Sequence, residues 1–393
     1  MLRLTNTACC ALALLAPWAA HAGASEFSGQ LRTHRIVREV ADSGPLAQAN
    51  QLRPGTTAVD GSTSALQLEL RGNTALAGIQ LHAGATLDAQ QTDGTASGET
   101  RSRINEAYAA GALGAWQWSA GKKVVSWDVG YGFRPNDLVQ QEVRRTLAAE
   151  PLEGRPLLMA EHFDADTAWS LVWVNPTEER SASGAREAAL AARGYWRAGA
   201  VDWHGFARRG EHTGSSVGTA VSWVASDALE LHASLRGDEN SRRQWLIGGT
   251  WTAESQLSLL AEAWHDDMAL TDAQWSAWSD HNQALPLGLA HGMPTAAVAG
   301  ALASQARAFS TASNLRQDNV FLRLSWQHER WQPALDVLYT PADQGFIATA
   351  SVQWTGEHIK LEMGLRAHGG PENAIARQLP VQRQGYVVAT WAF

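Results

Sequence analysis

Apolar and polar positions alternate along this chain with a period of two. Leu66, Leu68 and Leu70 interleave with Gln67, Glu69 and Arg71. Ile79, Leu81, Ala83, Ala85 and Leu87 interleave with Gln80, His82, Gly84, Thr86 and Asp88. Val217–Trp223, Leu229–Leu235, Val320–Trp326 and Ile359–Leu365 repeat the pattern, and so does the last stretch, where Val387, Ala389, Trp391 and Phe393 alternate with Tyr386, Val388, Thr390 and Ala392. A strand turns successive side chains to opposite faces, whereas a helix spaces its apolar residues by three and four. Several runs have the roughly 9–11 residues that cross a bilayer as a tilted strand. The pattern predicts an all-β chain with one apolar and one wetter face per strand.

The connections alternate too. Asp227, Ala228 and Glu254, Ser255 read as tight turns, while 43–62, 90–100, 175–186 and 266–316 are longer and polar or irregular. Short turns on one rim and long loops on the other are what a transmembrane antiparallel barrel requires. Sixteen strands are expected, within a range of 14–18. A water-soluble sandwich also alternates. Against it stand the small and charged residues of the polar faces and the many tryptophans near strand ends: Trp116, Trp118, Trp127, Trp169, Trp203, Trp251, Trp331 and Trp354. Aromatic girdles at the two interfaces accommodate them.

The mean hydropathy of −0.24 does not bear on this choice, because a barrel strand gives only alternate residues to lipid. No stretch reaches the roughly 20 apolar residues of a membrane helix. The N-terminus reads as an export leader over residues 1–22: Arg3, an apolar run from Ala8 to Ala16, then Ala20, His21 and Ala22 in small-x-small form. The barrel is assigned to 23–393. Cys9 and Cys10 are the chain's 2 cysteines and leave with the leader, so no disulfide framework or thiolate site is expected. The formal net charge is −8 and no basic tract appears, which sets nucleic acid aside as a partner.

The export leader, the alternation and the terminal strand ending on Phe393 together resemble bacterial outer-membrane porin-like β-barrels, a resemblance that covers the whole chain. A narrower likeness rests on Gly121, Lys122 and Trp127, then Pro135 and Asp137, then Pro156 and Leu157. This arrangement is similar to that of uncharacterised proteobacterial porin-like proteins and, more distantly, of alginate-export-type barrels. In those relatives a glycine follows the tryptophan; here Asp128 stands there. The resemblance implies an outer-membrane location, lipid contact, a final strand whose Trp391 and Phe393 are read by the barrel-assembly machinery, and transport of a small solute or polymer.

It also implies a role for the segment 126–155, which breaks the strand rhythm. Such a segment is expected to fold into the lumen and narrow it; a surface loop is the alternative. A short helix is expected over 138–149, capped by Asn136 or Asp137. Arg134, Asp137, Glu142, Arg144, Arg145, Glu153 and Arg155 are the candidate pore-lining and constriction residues. Opposed charges across a narrow pore favour small polar solutes, although the same residues can simply pair with one another. A second irregular stretch, 266–316, is expected to be the largest outer loop.

The expected function is passive passage of small solutes or secreted material. An outer-membrane enzyme and a closed structural or export-partner barrel are the alternatives. Gly214, Ser216 and Gly218 match Gly-x-Ser-x-Gly, but that motif needs a strand-to-helix elbow, and here it opens an alternating strand. No catalytic residue is assigned. His265, Asp266, Asp267 and Asp280, His281 have no defining ligand spacing, and no cofactor or metal is expected.

Overall fold

The computed structural model describes residues 25–56, 61–93, 98–140, 145–148, 150–178, 185–305 and 314–393. The expected leader, Glu142 and Arg144 lie outside the described residues. The strands are β1 (Glu26–Val40), β2 (Thr63–Leu76), β3 (Ile79–Thr92), β4 (Glu99–Leu113), β5 (Trp116–Lys123), β6 (Arg155–Phe163), β7 (Thr167–Val174), β8 (Ala189–Ala198) and β9 (Val201–Gly210). They continue as β10 (Gly214–Ser226), β11 (Leu229–Asp238), β12 (Arg243–Thr252), β13 (Leu257–Asp266), β14 (Asp318–Trp326), β15 (Trp331–Thr340), β16 (Gly345–Thr355), β17 (Ile359–Gly369) and β18 (Val381–Ala392).

Each strand pairs antiparallel with its neighbours in sequence, and β1 closes the sheet onto β18 through the register Leu31↔Trp391, Thr33↔Ala389 and Ile36↔Tyr386. The result is a closed barrel of 18 strands, two more than the sixteen expected and at the top of the expected range. Closure pairs the backbone amides within the sheet, which is the condition for crossing lipid without helices. No helix among the described residues is long and apolar enough to cross a membrane.

The strands the sequence hid are β6 to β8. Their outward residues are apolar, as expected: Leu158, Leu171, Trp173 and Leu190 stand bare. Toward the outer rim their inward residues are apolar as well, with Leu157, Met159, Val172, Val174, Ala189 and Ala191 buried inside the barrel, while Ser170 and Glu161 nearer the short turns are polar and bond each other at 3.0 Å. Alternation vanishes where both faces are apolar. The expectation of a uniformly wet inner face is therefore corrected for this sector. It holds across β1 to β4 in the chain of inward side-chain bonds Arg32 to Gln67 (3.2 Å), Gln67 to Asp88 (2.6 Å) and Arg103 to Asp88 (2.8 Å).

Short turns gather at one rim, for example Ala77 and Gly78 between β2 and β3, both at positive φ. Exposed tryptophans ring the same rim: Trp116, Trp169, Trp196, Trp203, Trp223, Trp251, Trp326, Trp331 and Trp391 all lie within four residues of a strand end there. Trp127 does not belong to this girdle; it is buried inside the barrel. At the other rim, the β1–β2 connection carries helix α1 (Pro45–Leu52). The β13–β14 connection carries α2 (Asp272–Ala284), a 3-10 turn (Leu285–His291) and α3 (Thr295–Gln305). Thr271 and Gln274 form a reciprocal capping box at the start of α2.

Candidate functional site

The connection between β5 and β6 turns into the barrel over its described residues 124–140 and 145–148. The chain leaves β5 where Val124 N–H donates to the Glu106 carboxylate (3.0 Å) and returns where Gly154 N–H donates to the Asn105 carbonyl (2.8 Å). Gly154 is needed at this return, because a Cβ there would lie 2.5 Å from the Lys123 carbonyl carbon. The segment between them is held by two kinds of contact.

The first kind is apolar. Val125, Trp127, Leu138 and Val139 pack on the inward side chains of β6 to β10, among them Leu157, Val172, Ala191, Phe206 and Ala220. This is why β6 to β8 are apolar on both faces toward the outer rim: outside they meet lipid, inside they meet this segment. Phe133 stacks on Trp264, and Tyr131 on Phe321, at ring centroid separations of 5.9 and 5.8 Å. Further along, Leu147 and Ala148 pack on Ile36, Tyr386 and Val388.

The second kind is polar and buried. Asp128 accepts from the Asn136 amide (2.6 Å), the Val129 amide (2.9 Å) and the Ser234 hydroxyl on β11 (2.8 Å). Asp137 accepts from the amides of Trp127 (2.9 Å) and Asp128 (3.2 Å) and pairs with Arg134 at 3.2 Å. The Asn136 side chain donates to Ser234 (2.9 Å) and to the Leu235 carbonyl (3.1 Å). Glu262 on β13 receives the amides of Tyr131 (2.7 Å) and Gly132 (2.6 Å) and is held from behind by His232 (2.9 Å). Burial pushes the carboxyls of Asp128 and Asp137 up, against the pull of these amides and, for Asp137, of Arg134.

The expected helix over 138–149 is not formed by its described residues. Asp137 does not cap forward; its carboxylate reaches back to the amides of 127 and 128. Leu138 and Val139 follow it straight into the apolar cluster. The helices among the described residues lie in the outer connections instead.

Of the candidate lining residues, Arg134 and Asp137 pair with each other inside the segment. Glu153 pairs with Lys122 at 2.6 Å. Arg155 is buried and donates to the Ala185 carbonyl. Arg145 lies over the Trp264 ring at 5.3 Å, donates to Asn314 (3.3 Å), and is pulled down to about 10 by burial and by Arg366. It faces a cavity of about 320 Å³ between the segment and the inner faces of β14 to β18. Arg316, Arg323 and Arg366 also line this space, opposite Asp336 and Glu362.

These side chains engage one another, the segment and the barrel wall. Arg323 bonds Asp336 (3.0 Å) and the Tyr131 hydroxyl (3.1 Å), and the Tyr386 hydroxyl donates to Glu362 (2.8 Å). Among the described residues Arg366 bonds neutral acceptors, Thr349 (2.8 Å) and the Arg145 carbonyl (3.1 Å). The cavity wall thus carries four guanidinium groups against two carboxylates. Sequence reading missed Asp128, Asn136, Glu262, Arg323 and Arg366. The one signal available was Asp128 in the place of the usual glycine.

The other sequence candidates are scattered. Ser216 faces inward on β10, buried and without a hydrogen-bond partner, and no helix follows it. His265 points outward between Asp267 (2.9 Å) and Asp318 (2.7 Å), with both ring nitrogens engaged. Asp266 points inward and receives Gln244 (2.8 Å) and Asn314 (2.7 Å), so these neighbours do not converge. Asp280 and His281 are exposed on α2.

No protein-family model and no curated protein sequence matches the chain. Solved structures do. Pseudomonas aeruginosa OccK5 (OpdH) superposes with a TM-score of 0.57 over 94% of this chain and 98% of its own, at 9% identity. A triple mutant of Rhodopseudomonas blastica porin aligns at 12% identity over 94% of this chain and 100% of its own, with a TM-score of 0.45. The OccK5 superposition and the closed antiparallel sheet establish the fold as that of a porin-like β-barrel.

Proposed function

We propose that this chain is an outer-membrane channel for passive diffusion of small polar solutes, reached through export behind a cleaved leader. The observation that carries the proposal is the cavity left between a built-in luminal segment and the wall of β14 to β18. A segment fixed at Asp128, Asn136 and Glu262 leaves this cavity beside it. With Arg316 paired to Asp272 and Arg323 to Asp336, Arg145 and Arg366 against Glu362 leave a cationic surplus among the described lining residues that favours anions among those solutes. Lipid covers the outward apolar set, and Trp391 and Phe393 on the last strand serve as the signal to the assembly machinery.

Removing 138–149 should raise single-channel conductance in planar bilayers by about twofold or more, since conduction follows the width and lining of the narrowest passage. Unchanged conductance from a deletion that still folds would remove the constriction from the account. A second reading has its own support. The segment touches the wall at β1, β4, β6 to β14 and β18, nearly the full circumference. That favours a barrel closed at rest, and it predicts near-zero flux until the segment is deleted.

A further inference from the structure

Two stretches of the outer rim line the cavity and carry helices. On one flank, Ile375 and Ala376 line the cavity within the β17–β18 connection. The same connection carries the root of α1: Ala41 N–H donates to the Pro380 carbonyl (2.9 Å) and Ser43 to the Arg377 carbonyl (3.3 Å). Gly44, at φ 89°, lies so close to Gln378 that a Cβ would come within 2.8 Å of its carbonyl oxygen. On the other flank, Leu315 and Arg316 line the cavity and carry α2. Trp275 donates to the Leu315 carbonyl (2.6 Å), and Arg316 pairs with Asp272 (2.6 Å).

Between these two footings α1 meets α3. Ala49, Val298 and Leu302 are wholly buried at the centre of the contact, with Leu52, Leu285, Leu289 and Ala303 half-buried around them. The two halves of the seam come from different strand connections, β1–β2 and β13–β14. Parting them breaks no strand pairing and leaves both footings in place.

We propose that the α1–α3 seam is the outer gate of the cavity, opening to pass a solute and reseating by apolar contact. The gate presupposes the channel read above, and its test has a readout that does not depend on flux. The chain beyond the leader contains no cysteine, so Ser351→Cys places a single thiol on the cavity wall. Its labelling by a bulky membrane-impermeant maleimide, added on the side of the long loops, measures access.

Val298→Asp with Leu302→Asp puts two carboxylates into the dry seam and should raise the labelling rate at least about tenfold. Equal rates in both backgrounds, with heat-modifiable migration showing that both barrels are folded, would overturn the gate. A second variant guards against misfolding of the first. Ala49→Cys with Val298→Cys, in a chain without the Ser351 change, should crosslink on oxidation and lose ion flux, and regain it on reduction. Failure to crosslink, or a crosslink that leaves flux unchanged, also overturns the proposal. Labelling that rises while every variant stays silent in bilayers would keep the gate and sink the channel.

Discussion

At the scale of single residues, the luminal segment is held by close approach as much as by bonds. Gly218 on β10 is the clearest case: a Cβ there would lie 1.9 Å from Asn136 Oδ1. Gly218→Val should therefore push Asn136 off Ser234 and loosen the segment, adding conductance steps and noise in bilayer recordings while leaving barrel migration on gels unchanged. The buried carboxylates set the pH response. Because burial raises Asp128 and Asp137 above their ordinary 3.8, the docked segment favours their neutral forms. Docking is then strongest below the ordinary value and weakens as pH rises through the raised one. Acidification should keep the pore as narrow as at neutral pH or narrow it further, and Asp128→Asn should flatten that dependence. Conductance that climbs on acidification would contradict this assignment. Arg366 faces the cavity and, among the described residues, bonds neutral acceptors, so its charge is expected to act on a passing solute. Arg366→Glu should move the reversal potential in a salt gradient toward cations, with the pore still open.

At the scale of elements, what could be read in the sequence depended on what each face touches. β2, β3, β11 and β17 place polar side chains toward water and apolar ones toward lipid, so their alternation was plain. β6 and β7 were not, since Leu157, Met159, Val172 and Val174 pack on Trp127, Leu138 and Val139. The inward fold of 126–155 could be expected from its broken rhythm, but its anchor points could not. Ser234, Glu262 and His232 look like ordinary members of a wet strand face until the segment meets them. The outer connection before β8 makes a separate prediction. Burial would raise Glu187, but bonds from Thr213 and Arg208 and the amides of His212 and Thr213 hold it at about 2. Its contribution is complete above the ordinary 4.5 and fades as pH falls toward about 2. Glu187→Gln should cost about 3–5 kcal/mol of local stability, as loss of one partner of a buried pair does. Faster amide exchange at 212–213 in the variant at neutral pH, with little difference from the parent near pH 2, is the expected result.

At the scale of the whole molecule, the decisive contact is the one between the ends of the sheet. β1 and β18 are adjacent in space and farthest apart in sequence, so their pairing closes the longest loop of the sheet. Phe393 fastens this seam: its amide and carbonyl exchange bonds with Gly29, both at 2.9 Å. Its ring lies over Gly29, where a Cβ would come within 2.5 Å, and tilts against Trp391 at a centroid distance of 5.0 Å. Only glycine leaves room for that ring. Gly29→Val and deletion of Phe393 should therefore act alike, cutting the yield of heat-modifiable barrel several-fold while leaving the conductance of the molecules that do close unchanged. Deletion of Phe393 removes both the backbone exchange and the terminal aromatic, whereas Gly29→Val displaces the ring and spares the residue itself. If Phe393 acts only as a signal for assembly in cells, Gly29→Val should fold normally from urea into detergent. If it also locks the closed sheet, both variants should fail there as well, and the paired bonds between Phe393 and Gly29 favour the lock.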